Sequence, residues 1–209
     1  MREIEYFYSA HSAFAYIGSA RLAAICTAHD CTLRHRPFAL SPVVEAAGAP
    51  AFRGRSRAHV DYYFGREIER WAEMRGVDII DHRPTHHDSP LTLSNGMLIA
   101  AAEQGGDVDA LAHALLQAHW RDDIDLGDPD ALARTAKALG IDPAPLLTAA
   151  LSPHIQAIHD ENGREAIARN VFGSPTYFLA GEMFYGQDHL EMLERALIQP
   201  FAPPRFKNP

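Results

Sequence analysis

The stretch EIEYFYSAHSAFAYIG, residues 3–18, passes from the pattern of a β-strand to that of an α-helix within a few residues. Glu3–Ser9 mixes aromatic and aliphatic residues in the manner of a buried strand. A helix is predicted from Ser12 to Ala28, with Gly18 on its apolar face, where it would allow close packing against a sheet. Thr32–Phe38 alternates and predicts a second strand. Because strand–helix–strand crossovers are right-handed, we expect these two strands to be parallel.

The middle of the chain, from about Ser41 to Val171, has helical periodicity and no convincing strand. Apolar side chains recur at three- and four-residue spacing from Val60 to Met74, and Gly76 predicts the end of that helix. Val77–Thr92 is predicted to be a loop. Three capping residues each precede a proline and mark three further helix starts, at Asp128-Pro129, Asp142-Pro143 and Ser152-Pro153.

The C-terminal part returns to β-structure. Pro175–Leu179 and Met183–Tyr185 predict a hairpin, and the helix that follows begins at a capping-box pair, Asp188 and Glu191. The order β-α-β, helices, then β-β-α predicts an α/β fold, a thioredoxin-like sheet with a large all-helical insertion. The predicted domains are residues 1–40 with 171–209, and the insertion 41–170.

Composition excludes several classes of protein. The chain has 209 residues, 47% of them hydrophobic, and a net charge of -8. A protein with this negative net charge is unsuited to binding a polyanion, so we expect no nucleic-acid partner. No apolar stretch is long enough to span a bilayer and the N-terminus does not have the pattern of a signal peptide, so we expect a cytoplasmic protein without a membrane partner. Cys26 and Cys31 are spaced C-x4-C, which is neither a redox C-x-x-C nor half a zinc site.

Two short segments carry the residues suited to chemistry. Ser12 lies at the first strand–helix junction, beside free backbone N–H groups at the positive end of the helix dipole. Thioredoxin-like folds hold their reactive cysteine there, whereas the local sequence alone favours a helix cap as the role of Ser12. In VFGSPT, residues 171–176, a cis peptide bond at Pro175 would present the backbone of Ser174 to an extended ligand. An ordinary trans turn is the alternative.

Other site types have less support. The twelve histidines include a group around His82, His86 and His87, with Asp88. Neighbouring histidines in a loop are commonly surface residues, and the H-E-x-x-H spacing is missing, so we expect no metal site. The motifs of P-loop, dinucleotide-binding and G-x-S-x-G proteins are also missing from the sequence.

Four segments resemble the family of 2-hydroxychromene-2-carboxylate isomerases and kappa-class glutathione transferases. They are YFYSAHSAFAYIGSARL (6–22), PFALSPVVEAAGAP (37–50), ERWA (69–72) and AIARNVFGSPTYFLAGEMFYGQDHL (166–190). The resemblance covers nearly the whole chain, and the last segment is its most specific part. It implies the DsbA-like branch of the thioredoxin fold, glutathione as cofactor and a homodimer.

The same resemblance implies roles for individual residues. Ser12 would be the catalytic residue that hydrogen-bonds the glutathione sulfur. Pro175 would be the cis-proline, Ser174 would pair with the glutathione cysteine, and Asp188 would hold the γ-glutamyl end, although a capping role for Asp188 is equally consistent with the sequence. The implied cofactor-binding set is Ser174, Pro175, Gln187, Asp188 and His189.

The sequence also departs from the family pattern. Ala13 replaces the proline that usually follows the serine, and His189 replaces an arginine, which weakens an anchor for a glutathione carboxylate. The family's Asn and Lys have no clear counterparts. Basic side chains occupy that region instead and are candidate carboxylate clamps or a solvated face: Arg53, Arg55, Arg57 and His59.

The implied function is that of a glutathione-dependent isomerase of 2-hydroxychromene-2-carboxylate or a similar intermediate of aromatic catabolism. A thiolate would add to the activated double bond, rotation would follow, and the thiolate would leave. The partner is then a small aromatic substrate, for which candidate lining residues are Tyr6, Tyr8, Phe14, Phe64 and Tyr185. Two alternatives remain: a kappa-like glutathione transferase that conjugates electrophiles, and a non-redox thioredoxin-like binding module.

Overall fold

A four-stranded sheet forms the centre of the computed structural model, which describes residues 2–50 and 54–206. The strands run in the order β2-β1-β3-β4. The β1–β2 pair is parallel, and the β1–β3 and β3–β4 pairs are antiparallel. This is the predicted thioredoxin-like arrangement. The strands are β1 (Arg2–Tyr8), β2 (Cys31–Pro37), β3 (Thr176–Leu179) and β4 (Glu182–Tyr185).

Helix α1 (Ala13–His29) connects β1 to β2 as the sequence predicts. Most of the other helices lie between β2 and β3 and form the predicted helical insertion. In the described part of the chain, no helix combines the length and apolar composition of a membrane span. These other helices are α2 (Leu40–Ala46), α3 (Arg57–Asp61), α4 (Glu67–Arg75), α5 (Thr92–Glu103), α6 (Val108–Arg121), α7 (Pro129–Ala138), α8 (Pro143–Ala150), α9 (Pro153–Ala168) and α10 (Leu190–Ile198).

One hydrophobic core runs from the sheet into the helical insertion. Ile4 of β1 and Ile17 of α1 belong to the same buried cluster as Leu98 of α5 and Leu115 of α6. A second, smaller cluster around Phe7 covers the other face of the sheet. The division of the chain at residues 40/41 and 170/171 stays a prediction, and the core crosses it.

The three helices that begin with a proline are capped as predicted. The side chains of Asp128, Asp142 and Ser152 each accept a hydrogen bond from a backbone N–H in the first turn of α7, α8 and α9. Such a cap contributes about 1 kcal/mol to stability, since it satisfies a donor that the helix leaves unpaired.

The predicted helix between Val60 and Met74 is interrupted. Helix α3 gives way to a π-helical turn, Tyr62–Arg66, before α4 begins. Helix α4 ends at Gly76 in the left-handed conformation, as predicted. Because π-turns are rare and concentrate at functional sites, this turn directs attention to the side chains it carries.

The predicted capping box at Asp188 and Glu191 is wrong. Asp188 lies inside a 3-10 turn, Gln187–His189, and the residue at the start of α10 is His189, which makes no side-chain cap. Glu191 instead binds Arg75 at 2.6 Å. The Arg75 guanidinium lowers the pKa of Glu191 to about 2. The Asp188 carboxylate is therefore not used as a helix cap.

Helices α5 and α8 approach closely at Gly96. A methyl group there would overlap the carbonyl oxygen of Ala150 and lie 3.0 Å from its carbonyl carbon, whereas one at Gly163 in α9 would meet no atom within 4 Å. We expect Gly96→Ala to reduce the free energy of unfolding by about 1–3 kcal/mol through overpacking. The matched Gly163→Ala should raise it by about 0.5–1 kcal/mol. Urea unfolding of both variants checks this, and equal shifts would contradict it.

Candidate active site

The junction between β1 and α1 places Ser12 at the N-cap of α1. Its backbone is extended, and its hydroxyl oxygen accepts a hydrogen bond from the Ala15 N–H at 3.3 Å. The same hydroxyl donates to the carbonyl oxygen of Ser174 at 3.1 Å. Ser12 thus caps the helix and at the same time contacts the distant turn that the sequence singled out. Only 7% of Ser12 is exposed.

That turn lies directly against the junction. The Ser174–Pro175 peptide bond is cis, as predicted. The Ser174 hydroxyl accepts a hydrogen bond from the Ser9 N–H at 3.1 Å, and the Pro175 carbonyl accepts one from the Gly186 N–H at 2.9 Å. The structure therefore brings Ser12, Ser174 and Pro175 together, although more than 160 residues separate Ser12 from Ser174.

Gln187 occupies a buried position and is only 1% exposed. Its side-chain oxygen accepts a hydrogen bond from Arg75 at 3.0 Å, and its backbone carbonyl accepts another from Arg75 at 3.1 Å. A methyl group on Gly18 would lie 2.6 Å from the Gln187 Cβ, so the close approach expected of Gly18 is made mainly to this turn. Contact between Gln187 and a cofactor stays a prediction, and the geometry favours a positioning role.

Asp188 and His189 lie at the surface next to Gln187. Their side chains are 49% and 41% exposed, and the Asp188 carboxylate is 3.4 Å from Nδ1 of His189. Because Asp188 does not cap α10, its carboxylate is available to a positively charged ligand group. The carboxylate is also close enough to contribute to the raised pKa of Tyr185, which is caused mainly by burial.

Aromatic side chains form a wall beside the cis-proline turn. The ring of Phe14 lies 5.2 Å from that of Tyr63, which contacts Phe64 at 5.0 Å. Phe172 lies 5.8 Å from Tyr185. A methyl group on Gly173 would be 3.0 Å from the Tyr185 hydroxyl, so this wall touches the turn itself. We call these five residues the aromatic wall.

The wall contains three of the predicted lining residues: Phe14, Phe64 and Tyr185. The other two, Tyr6 and Tyr8, are instead stacked in the core, 4.2 Å apart and almost fully buried. Tyr63 was not singled out from the sequence, because only the π-turn shows that it faces Phe14. Burial, with Tyr185 and Asp188 nearby, raises the pKa of Tyr63.

The basic region before α4 lies beside the wall. The Arg55 guanidinium is 5.1 Å from the ring of Phe64 and 3.2 Å from His59. A small cavity of about 260 Å³ opens next to Arg55 and His59. Arg57 pairs with Asp61 on the exposed face, and Arg53 lies outside the described residues. Arg55 is therefore the arginine of this group that is best placed to meet a carboxylate.

His82 and His86 have separate acidic partners. His82 is 2.9 Å from Asp81, and His86 is 3.5 Å from Asp125. Across residues 2–50 and 54–206, no group of three or more histidine, cysteine or acidic side chains is arranged to hold a metal ion.

A cleft of about 680 Å³ lies elsewhere, between α1, β2 and α6. It is larger than the cavity at Arg55, but its lining includes neither Ser12 nor the cis-proline turn. Both cysteines line it as free thiols. Burial raises the pKa of Cys26 to about 12. We therefore place the candidate active site where Ser12, Ser174 and Pro175 meet, which we call the polar junction, and not at the larger cleft.

The cysteine geometry predicts that the protein does not reduce disulfides. A thiol with a pKa near 12 is about one part in 10⁵ thiolate at neutral pH, and the thiolate is the attacking species. We expect no catalysis of insulin reduction by dithiothreitol, for the wild type and for Cys26→Ala alike. Activity in the wild type that disappears in Cys26→Ala would contradict this.

Comparisons with known proteins agree on one family. The family model described as "DSBA-like thioredoxin domain" matches residues 3–198. The chain is 27% identical over 194 residues to a 2-hydroxychromene-2-carboxylate isomerase of Pseudomonas putida, covering 93% of each protein. It superposes on a solved 2-hydroxychromene-2-carboxylate isomerase with a TM-score of 0.79 and 26% identity, covering 94% of this chain and 95% of the other. A probable DsbA oxidoreductase from Streptomyces coelicolor shares the fold, with a TM-score of 0.74 and 19% identity, over 100% of this chain and 94% of the other.

Proposed function

The chain belongs to the family of DsbA-like thioredoxin domains, and we propose that within it the protein is a glutathione-dependent isomerase of 2-hydroxychromene-2-carboxylate or a similar aromatic intermediate. The observation that carries this proposal is the serine hydroxyl at the N-terminus of α1, 3.1 Å from the backbone of the cis-proline turn. A disulfide oxidoreductase needs a cysteine there. An isomerisation exchanges no electrons and needs only a nucleophile that adds and leaves again.

The names of the relatives support the choice of reaction. Proteins called 2-hydroxychromene-2-carboxylate isomerase match more than nine-tenths of the chain, both by sequence and by structure. The two cysteines do not form a C-x-x-C pair, and both line a different cleft. A reaction without net redox change fits both observations.

The site residues also fit glutathione. Bound glutathione would supply a thiolate, which the chain itself does not offer at this site. The Ser12 hydroxyl can rotate from the Ser174 carbonyl to donate to that sulfur, and the N–H groups at the start of α1 add a favourable dipole. The exposed Asp188 carboxylate suits an ammonium group, and Arg55 suits a carboxylate.

The aromatic wall supports a flat substrate. Phe14 and Tyr63 lie beside the N-terminus of α1. A substrate whose aromatic ring packed on them would hold the rest of its carbon chain over Ser12. Such pockets are mostly apolar, with a few polar groups that fix orientation.

A homodimer and a cytoplasmic location are also part of the proposal. Gel filtration tests the oligomeric state, and cell fractionation tests the location.

Two measurements test the proposed function. Calorimetric titration should show that glutathione binds, and the protein with glutathione should isomerise 2-hydroxychromene-2-carboxylate. Conjugation of a chloronitrobenzene without isomerisation would favour the transferase. Glutathione-independent peptide binding without either activity would favour the binding module.

Asp188→Asn provides a sharper test of the cofactor site. Loss of the negative charge should weaken glutathione binding about tenfold or more, because a hydrogen bond to a charged group contributes about 1.5–3 kcal/mol. The stability of the fold should hardly change, since Asp188 caps no helix. Glu182→Gln on the exposed end of β4 is the matched control. Equal affinities for the wild type and Asp188→Asn would remove Asp188 from the site.

A further inference from the structure

Three imidazole rings continue the polar junction into the helical insertion. His11, the residue before Ser12, lies 4.7 Å from His87 between ring centroids. His87 Nδ1 is 3.0 Å from Nε2 of His119 in α6. The indole N–H of Trp120 donates to the His11 carbonyl at 2.9 Å and ties this row to the junction. We call His11, His87 and His119 the histidine row.

The hydrogen bonds determine where the protons of His119 and His87 lie. His119 Nδ1 is 3.0 Å from the carbonyl oxygen of Ile124, which can only accept, so Nδ1 of His119 carries the proton. In neutral His119, Nε2 is then an acceptor, and His87 must donate to it from Nδ1. Neutral His87 is left with a lone pair on Nε2, for which the described residues provide no hydrogen-bond partner.

The surroundings keep the row uncharged at neutral pH. Burial and the neighbouring histidines lower the pKa of His11 to about 4 and that of His87 to about 2. Burial also lowers the pKa of His119, against the opposing effect of Asp123 and Asp125. Two charged groups act on the pKa values of both His87 and His11: Arg83 lowers them and Asp88 raises them, and these two side chains pair with each other.

We propose that Nε2 of His87 is the proton acceptor and donor for the ring opening of a cyclic hydroxy-ketal substrate, with His119 as its positioning residue. This inference rests on the proposed isomerase function. A chromene hydroxy-ketal must open before its side-chain double bond can rotate, and opening moves one proton. The half-buried neutral imidazole of His87 contacts His11, the residue before Ser12, and its tautomer is held by His119. Because burial lowers the pKa of His87, the proton is not stored on the imidazole but passes directly to the ring oxygen.

The step balances without a co-reactant. Nε2 of His87 takes the proton of the ketal hydroxyl, the electron pair of that O–H bond forms the ketone, and the bond from this carbon to the ring oxygen breaks. Its electron pair stays on the ring oxygen, which receives the proton back from His87 and becomes a phenol. Ring closure is the reverse.

An equilibrium measurement tests the acceptor without glutathione. Calorimetry compares the affinity of the protein for trans-2-hydroxycinnamate with its affinity for trans-2-methoxycinnamate. The methoxy compound lacks the phenolic hydroxyl that would donate a hydrogen bond to Nε2 of His87. The wild type should bind the hydroxyl compound at least several-fold more tightly. His87→Asn keeps a donor for His119 but has no atom at the Nε2 position, so it should bind both compounds equally. The exposed neighbour His86→Asn should keep the preference. A preference that survives in His87→Asn, or that the wild type lacks, overturns the proposal.

A kinetic comparison separates this inference from the proposed function. The cis isomer of 2-methoxybenzylidenepyruvate has the same double bond but cannot close a ring. His87→Asn should lower turnover of the chromene carboxylate about a hundredfold and leave turnover of the methoxy compound within about twofold. Equal losses on both substrates overturn the inference. A wild type that turns over neither compound with glutathione overturns the proposed function, while the cinnamate binding still reports on His87.

Discussion

Replacing Ser12 with alanine should lower turnover of the chromene carboxylate about ten- to a hundredfold and move the midpoint of the pH–rate profile upward. A free thiol of the cysteine type has a pKa near 8.5, so little thiolate exists at neutral pH. One charge-assisted hydrogen bond from the serine hydroxyl contributes about 1.5–3 kcal/mol, which lowers that pKa by about 1–2 units. Glutathione binding should remain largely intact, because the proposed site assigns most of the contacts of the tripeptide to other residues.

Ser12 also caps α1, so the test must separate the loss of a helix cap from the loss of the hydrogen bond to the glutathione sulfur. Alanine at an N-cap costs about 0.5–2 kcal/mol of stability, whereas glycine costs only a few tenths. Ser12→Gly should therefore lose the same activity as Ser12→Ala while keeping most of the stability. Ser152→Ala, at the cap of α9, should lose stability without losing turnover. Wild-type turnover and an unchanged pH midpoint in Ser12→Ala would mean that Ser12 is only a cap.

Acidification from pH 7 to pH 4.5 should destabilise the protein by about 2 kcal/mol for each of His11 and His87. An unfolded histidine has a pKa near 6.5. Burial lowers the pKa of folded His11 to about 4 and that of His87 to about 2. Below pH 6.5 the unfolded chain binds protons that the folded chain does not, so this stability is complete above pH 6.5 and is lost as the pH falls. A total of about 4 kcal/mol is a large share of a typical unfolding free energy.

Urea unfolding at the two pH values measures this effect. The double variant His11→Gln, His87→Asn should lose about 4 kcal/mol less than the wild type between pH 7 and pH 4.5, whatever its stability at pH 7. His86→Asn, at an exposed position in the same loop, should behave as the wild type does. If the double variant loses as much stability as the wild type, the stability of the fold does not depend on keeping His11 and His87 uncharged.

Local signals predicted most of the elements. The first strand, first helix and second strand lie within one residue of the predicted bounds, because burial periodicity and caps act over a few residues. The proline-headed helices follow from the same kind of signal. The position of the hairpin after Gly173 also follows from the residues beside it.

Other features depend on distant segments and left no local signal. The π-turn that directs Tyr63 toward Phe14 interrupts a pattern that otherwise continues as an ordinary helix. The pairing of His87 with His119 joins a loop to α6 across 32 positions. Tyr6 and Tyr8 were indistinguishable from pocket residues by composition, since an aromatic ring suits a core and a binding wall equally.

The sequence by itself determined the thioredoxin-like order of elements, the helical insertion and the candidacy of Ser12 and Pro175. Their patterns are made by neighbours along the chain, so they are visible without a fold. Only the tertiary structure decided that Ser12 both caps α1 and reaches Ser174. It also decided that Asp188 is free of a capping role, because Arg75 holds Glu191 and a 3-10 turn precedes α10. Hydrogen bonds between residues far apart in the chain form only when packing brings them together, and no local pattern encodes that distance.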